Sequence, residues 1–279
     1  MATLYFFNGT QSGTADGSYA DPYDFSSLAT QESASSSGDV FIFKDGTYGI
    51  TASLTLGADG VTYKAETTGS VTFDFSSTYA LALGDSSNTF PGFTLKGIVF
   101  NNISGVLSLK IIDGDLLIAE DCQFKGMSSG YRCIIGDTGA TDNGYAMNAT
   151  FKRCIFKGTA NASEVRLFRY RLSSVTQALT LESCTIVLSS TAGGSGIFLN
   201  TTPGTFVIKN TIIVCTTSGA TLGTTIPALT ESYNCYYNIS ESADPANAII
   251  VDDPQFVDTA NNDYRLRPSS PCINAGTAS

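Results

Sequence analysis

An eight-residue phrase returns six times along this chain, and few folds can accommodate that return. The copies are Phe93-Thr-Leu-Lys-Gly-Ile-Val-Phe100, Leu117-Ile-Ala-Glu-Asp-Cys-Gln-Phe124, Ala149-Thr-Phe-Lys-Arg-Cys-Ile-Phe156, Leu179-Thr-Leu-Glu-Ser-Cys-Thr-Ile186 and Phe206-Val-Ile-Lys-Asn-Thr-Ile-Ile213. A weaker sixth is Leu229-Thr-Glu-Ser-Tyr-Asn-Cys-Tyr236. Aligned on Ile98, Cys122, Cys154, Cys184, Thr211 and Cys235, they lie 24, 32, 30, 27 and 24 residues apart. A constant phrase at variable spacing is what one structural coil produces when loops are inserted on a side that tolerates them.

Between the phrases runs a second strand-like family: 79–85, 106–113, 132–137, 165–171 and 196–200. Nearly everything after residue 35 alternates with period two and is cut by Gly, Asn, Asp and Ser, as short strands are. The pattern predicts one short helix at about 26–35, capped by Asp24 or Ser26. Each coil then carries at least two strands, and seven or eight coils fit between Val40 and Asn238. Like residues stack roughly 4.8 Å apart in such a solenoid, and inward slots of Ile, Val, Leu, Phe and Cys form one continuous core. Cys122, Cys154 and Cys184 fall in one slot, which predicts a file of buried thiols; disulfides are the alternative in an oxidising compartment. Residues 1–39 then form an opening segment and cap, 40–243 the coils and 244–279 a C-terminal cap that blunts the open strand edges.

A chain of 279 residues with 42% hydrophobic content suffices for one large all-β unit. Its net charge of −10 argues against nucleic acid and anionic membranes as partners. No apolar run approaches the roughly 20 residues of a membrane helix. Residues 1–9 lack a basic segment, a long apolar core and a cleavage site, so no signal peptide is expected. A virion or extracellular location fits, since virion proteins assemble inside a cell and act outside it. With no histidine and no Cys-x-x-Cys pair, zinc is not expected.

The segment Ser37-Gly-Asp-Val-Phe-Ile-Phe-Lys-Asp-Gly-Thr-Tyr48 resembles the start of right-handed parallel β-helix proteins of the pectate-lyase-like superfamily. The close, from Val251-Asp-Asp-Pro-Gln-Phe-Val-Asp258 through Asp263-Tyr-Arg-Leu266 to Ser270-Pro-Cys-Ile-Asn-Ala-Gly276, is similar to the C-terminal tails of such proteins. The resemblance implies that fold, which hosts lyases, hydrolases, phage tail spikes and adhesins, so function must come from a site.

Three groups of residues are candidates. Asp85, Asp113 and Asp137 end successive members of the second strand family, with Asp115 close behind Asp113. Stacked, they would push one carboxyl pKa up and supply an acid and base pair, and the resemblance implies that such a column could hold calcium; alone, they are ordinary turn residues. Glu164-Val-Arg-Leu-Phe-Arg-Tyr-Arg171 is the densest basic stretch, where Arg166 and Arg169 would join Asp113 and Asp137 in catalysis on an acidic sugar. The competing reading pairs those arginines with acids of neighbouring coils. Tyr131, Tyr145, Tyr170 and Arg171 would bind carbohydrate by stacking, or simply pack. Tyr233, Tyr236, Tyr237 and Tyr264 gather nearer the C-terminus.

The expectation is a virion-associated or surface structural protein such as a tail spike, fibre or capsid decoration, with no cofactor. On resemblance it would be a homotrimer meeting other virion proteins or a surface glycan. The alternative is a polysaccharide lyase or glycoside hydrolase acting on acidic polysaccharide, with calcium.

Overall fold

The computed structural model describes residues 1–11, 13–75, 79, 81–84, 92–103, 109–111, 116–129, 148–160, 168–170, 177–190, 196–200, 204–216, 220–223, 229–240, 249–250 and 253–276. These form the right-handed parallel β-helix that the repeats imply. A ten-stranded parallel sheet takes the first half of every phrase, including Phe93–Lys96, Leu117–Glu120, Asn148–Lys152, Gln177–Glu182, Gly204–Lys209 and Leu229–Ser232. A nine-stranded parallel sheet takes the second half, including Val71–Phe75, Ile98–Asn101, Gln123–Ser129, Ile155–Ala160, Thr185–Ser190, Ile212–Cys215 and Cys235–Tyr237. The second strand family supplies a third side, split into a three-stranded sheet (Leu54–Leu56, Leu81–Leu83, Leu109–Ile111) and a four-stranded one (Phe168–Tyr170, Gly196–Asn200, Ala220–Gly223, Ile239–Ser240). Its member at 132–137 lies outside the described residues.

One residue turns the chain from the first sheet into the second. The fifth position of every phrase has a left-handed backbone: Gly97, Asp121, Arg153, Ser183, Asn210 and Tyr233 all have φ between 52° and 69°. Only glycine adopts this without cost, and Asn and Asp tolerate it; Arg, Ser and Tyr are strained there. The strain is offset because the corner N–H groups of the first five phrases donate to the fourth-position carbonyl of the next coil. Asp121 reaches Lys152 O at 3.0 Å, Arg153 reaches Glu182 O at 2.9 Å and Ser183 reaches Lys209 O at 3.0 Å. The hydrogen-bond ladder therefore continues around the corner without a gap.

The strand register places like on like. The eighth position stacks Phe73, Phe100, Phe124 and Phe156 inside, with the last three rings parallel at 5.2 and 5.1 Å. The sixth position holds the expected thiol file. Cys122, Cys154 and Cys184 are buried, and the latter two thiols donate to Ala119 O at 3.4 Å and Phe151 O at 3.3 Å. Burial pushes the Cys154 thiol pKa well up, as do the two flanking thiols, so Cys154 is an inert packing group. Outside, the fourth position alternates in sign along Lys96, Glu120, Lys152, Glu182 and Lys209, with Lys96–Glu120 at 3.1 Å and Lys209–Glu182 at 3.0 Å. Such half-exposed pairs contribute less than about 1 kcal/mol each, but a slip of one residue would break the whole column.

Two details correct the sequence alignment. Cys235 does not continue the thiol file. Thr211 pairs with Asn234, one residue earlier, because Ile212 is the partner of Cys235. Cys235 instead faces outward and forms a disulfide with Cys272 of the tail. The Asn234 slot is polar and satisfied: its side chain accepts from Thr211 N at 3.0 Å and donates to Ile208 O at 2.9 Å and Tyr236 Oη at 3.1 Å. Tyr236 in turn donates to Glu231, which occupies the inward slot filled by Ile208 one coil earlier.

At the other end, the 3-10 turn Phe25–Ser27 leads into the helix Leu28–Ala34, within the predicted span. Asp24 caps the 3-10 turn, accepting from Ser27 N at 3.2 Å. Glu32 on this helix accepts from Tyr63 of the first sheet, which clamps the cap onto the coils.

Replacing Phe124 by Ala in the middle of the ring stack should cost about 3–5 kcal/mol in denaturant unfolding. Burial raises the Glu231 carboxyl above its ordinary 4.5, so the fold favours its protonated form. Its contribution is thus fully present below that value and lost as pH rises through the folded pKa. Glu231→Gln should accordingly raise the thermal midpoint at pH 7 and leave it unchanged below the ordinary value; an equal gain at both pH values would refute the assignment.

Candidate functional site

The outer face of the nine-stranded sheet changes character half-way along. The residue after each phrase points outward there, and along the sheet it reads Asp74, Asn101, Lys125, Lys157, Val187, Val214 and Tyr237. The first four are polar and partly exposed; the valines are buried. What buries them is the chain's own tail. An antiparallel hairpin, Phe256–Asp258 with Asp263–Leu266, lays Phe256 and Tyr264 on Val187 and Val214, flanked by Ile155, Ile212, Tyr237 and Leu266. The Cys235–Cys272 disulfide ties the end of that tail to the same face.

The polar half is built by a bulge. The pairing of Gln123–Ser129 with Ile155–Ala160 shifts register between Phe124 and Met127. Gly126 occupies the shift with φ +64°, where a Cβ would lie 2.9 Å from Asn102 N, so no other residue fits without movement. Lys125 precedes this glycine and lies beside Lys157, whose strand is the next in the sheet. Lys125 is half-buried, and burial together with the positive charge of Lys157 lowers its amine pKa from the usual lysine value. Lys157 Nζ donates to Asn262 Oδ1 of the hairpin tip at 2.6 Å, and Tyr264 Oη donates to the same oxygen at 3.4 Å. On the other side, Asp74 accepts from Asn101 Nδ2 at 3.2 Å and Asn102 Nδ2 at 2.6 Å. Two strand spacings, roughly 10 Å, separate the Asp74 and Lys125 positions. Gln123 lies on the same face.

This strip joins an amine that sheds its proton more readily than free lysine, a neighbouring ammonium and a row of amides. Chemically it can bind anionic, hydroxyl-rich ligands and take up a proton.

Two further clefts occur among the described residues. One of about 500 Å³ runs between the capping helix and residues 53–58, bordered by Phe25, Leu28, Glu32 and Leu54. Burial raises the Glu32 carboxyl pKa, and its tie to Tyr63 makes it a structural clamp. The other, about 430 Å³, lies under the hairpin beside Val187, Val214 and Tyr237.

Most residues singled out from the sequence fall elsewhere. Asp85, Asp113, Asp115, Asp137, Arg166, Arg171, Tyr131 and Tyr145 lie outside the described residues. Arg169 and Tyr170 sit in the four-stranded sheet, opposite Leu199 and Asn200, and so belong to a different side from Lys125. Tyr236 is interior and Tyr264 packs on the inner side of the hairpin against the sheet, so both are core groups. No cluster of three or more metal-ligating side chains occurs among the described residues. Lys125 and Lys157 were missed because the repeat was cut at its eighth residue; reading one position further shows Asn, Lys, Lys, Val, Val, Tyr.

No protein-family model matches the sequence, and no curated protein matches it. Among solved structures, the pectate lyase Pel9A aligns with a TM-score of 0.42 at 16% identity, covering 100% of this chain and 92% of that one. The pectin methylesterase from Aspergillus niger aligns with a TM-score of 0.43 at 16% identity, covering 88% and 82%. Pectin methylesterase PemA from Erwinia chrysanthemi gives 0.42 at 10%, covering 85% and 78%. It is the in-register stacking of parallel strands in this chain itself that makes it a parallel β-helix.

Proposed function

We propose that the polar half of the nine-stranded face binds an acidic polysaccharide and that the protein cleaves it, by a lyase reaction at Lys125. The observation that carries this reading is the Lys125–Lys157 pair, two adjacent cations facing outward on a chain of net charge −10. A uronate carboxylate placed against the Lys157 ammonium loses part of its charge, which acidifies the neighbouring C–H. The Lys125 amine, in its neutral form, takes that proton. The C–H electron pair becomes a carbon–carbon double bond, the glycosidic C–O bond at the next carbon breaks, and the departing oxygen takes a proton from solvent. Asn101, Asn102 and Gln123 are placed to bind sugar hydroxyls along the strip. Calcium, the other group implied by resemblance, would involve aspartates outside the described residues and enters no step here.

Purified protein with polygalacturonate and with alginate tests the reading, through the ultraviolet absorbance of unsaturated product. Lys125→Met should lower the rate at least about 100-fold, the usual scale of a lost general base. The wild-type rate should climb with pH along a limb set below the ordinary lysine range. Cleavage unaffected by Lys125→Met, or none on any uronate polymer, would sink it. Binding without cleavage would instead support the non-catalytic role of a virion or surface glycan-binding protein.

A further inference from the structure

The C-terminal tail does more than blunt strand edges. We infer that its hairpin forms one wall of the Lys125 site, and that Asn262 is the positioning residue that holds the Lys157 ammonium beside Lys125. The inference takes its functional meaning from the lyase reading above.

Three observations converge on it. The hairpin is fixed to this face independently of Asn262, by the Phe256 and Tyr264 cluster on Val187 and Val214 and by the Cys235–Cys272 disulfide. It therefore presents its tip, 259–262, at a defined place. Asn262 has a left-handed backbone, φ 61°, at the last residue of that tip. Its carbonyl oxygen then accepts from Lys157 Nζ at 2.6 Å, across 105 residues of chain, and from Tyr264 Oη at 3.4 Å.

The tip's charges are arranged around that contact. Asp258 accepts from Asn261 and from Ala260 N, and Asp263 is held by Arg265 in a two-pronged pair at 2.8 and 2.6 Å. Both hairpin carboxylates thus have partners within the hairpin, and Lys157 meets a neutral amide. From the sheet, Lys125 lies on one side of Lys157 and Val187 on the other; beyond Lys125, Asp74 is bound by Asn101 and Asn102. Tyr264, its phenol pKa raised by burial, remains a neutral donor. A carboxylate at the tip would neutralise Lys157, whereas an amide anchors it and leaves its charge to act on Lys125 and on a bound anion.

The test needs no polysaccharide. Lysine Cε resonances, assigned with Lys125→Arg and Lys157→Arg, are followed by NMR through a pH titration. Asn262→Gly keeps the left-handed backbone and removes the carbonyl; Asn262→Asp keeps the shape and adds a charge. In both, the Lys125 midpoint should move upward by about half a unit, the scale of one ammonium about 5 Å away in a water-like medium. A Lys125 midpoint unmoved in Asn262→Asp overturns the inference whatever Asn262→Gly does. Wild-type protein that cleaves no uronate polymer but shows the shift sinks the lyase reading alone; intact cleavage with no shift sinks only the role of Asn262.

Discussion

A single left-handed residue in each of the six phrase coils holds this architecture together. Gly97, Asp121, Arg153, Ser183, Asn210 and Tyr233 bend the chain from one sheet to the next within one residue. Because the first five of these corner N–H groups bond to the coil beyond, those coils cannot slide past one another without losing hydrogen bonds on both sides of the turn. The fixed register then decides everything lateral: rings meet rings, thiols meet thiols, and lysines meet glutamates. Strain at Arg153 and Tyr233 persists because the stacked neighbours over-determine it.

The interior and exterior columns obey the same register but answer to different physics. Inward slots lose little by being apolar, and one marked departure among the described residues is in and beside the Glu231 coil. There Thr211, Asn234, Tyr236 and Glu231 form a closed chain of hydrogen bonds. Outward slots are free to vary, and on the nine-stranded face they vary in one sense, from Asp, Asn and Lys to Val and Tyr. Exposed valines invite cover, and the tail hairpin supplies it. The boundary between covered and open face is where Lys125 and Lys157 lie, so the border of an apolar patch also becomes the edge of the candidate site.

Much of the fold was legible because period two and a recurring phrase survive any choice of loop. The thiol file followed from three cysteines at one phrase position, and the capping helix from Asp24 and a short apolar stripe. The end of the repeat was not legible in the same way. Cys235 looked like another rung, yet Asn234 has the amide that a buried polar slot needs, and Cys235 is left to face the tail. The left-handed corner was equally hidden, since Arg153, Ser183 and Tyr233 have no local preference for it.

Sequence alone determined that this chain winds into stacked parallel coils with one short N-terminal helix, because pattern and spacing are local properties. Only the tertiary structure decided which outward columns stay open, that Lys125 and Lys157 become neighbours across 32 residues of chain, and that Asn262 reaches them from 105 residues away. Those contacts depend on coil stacking and on where the tail docks. Both are set by apolar surface buried between segments far apart in sequence, which no window along the chain can contain.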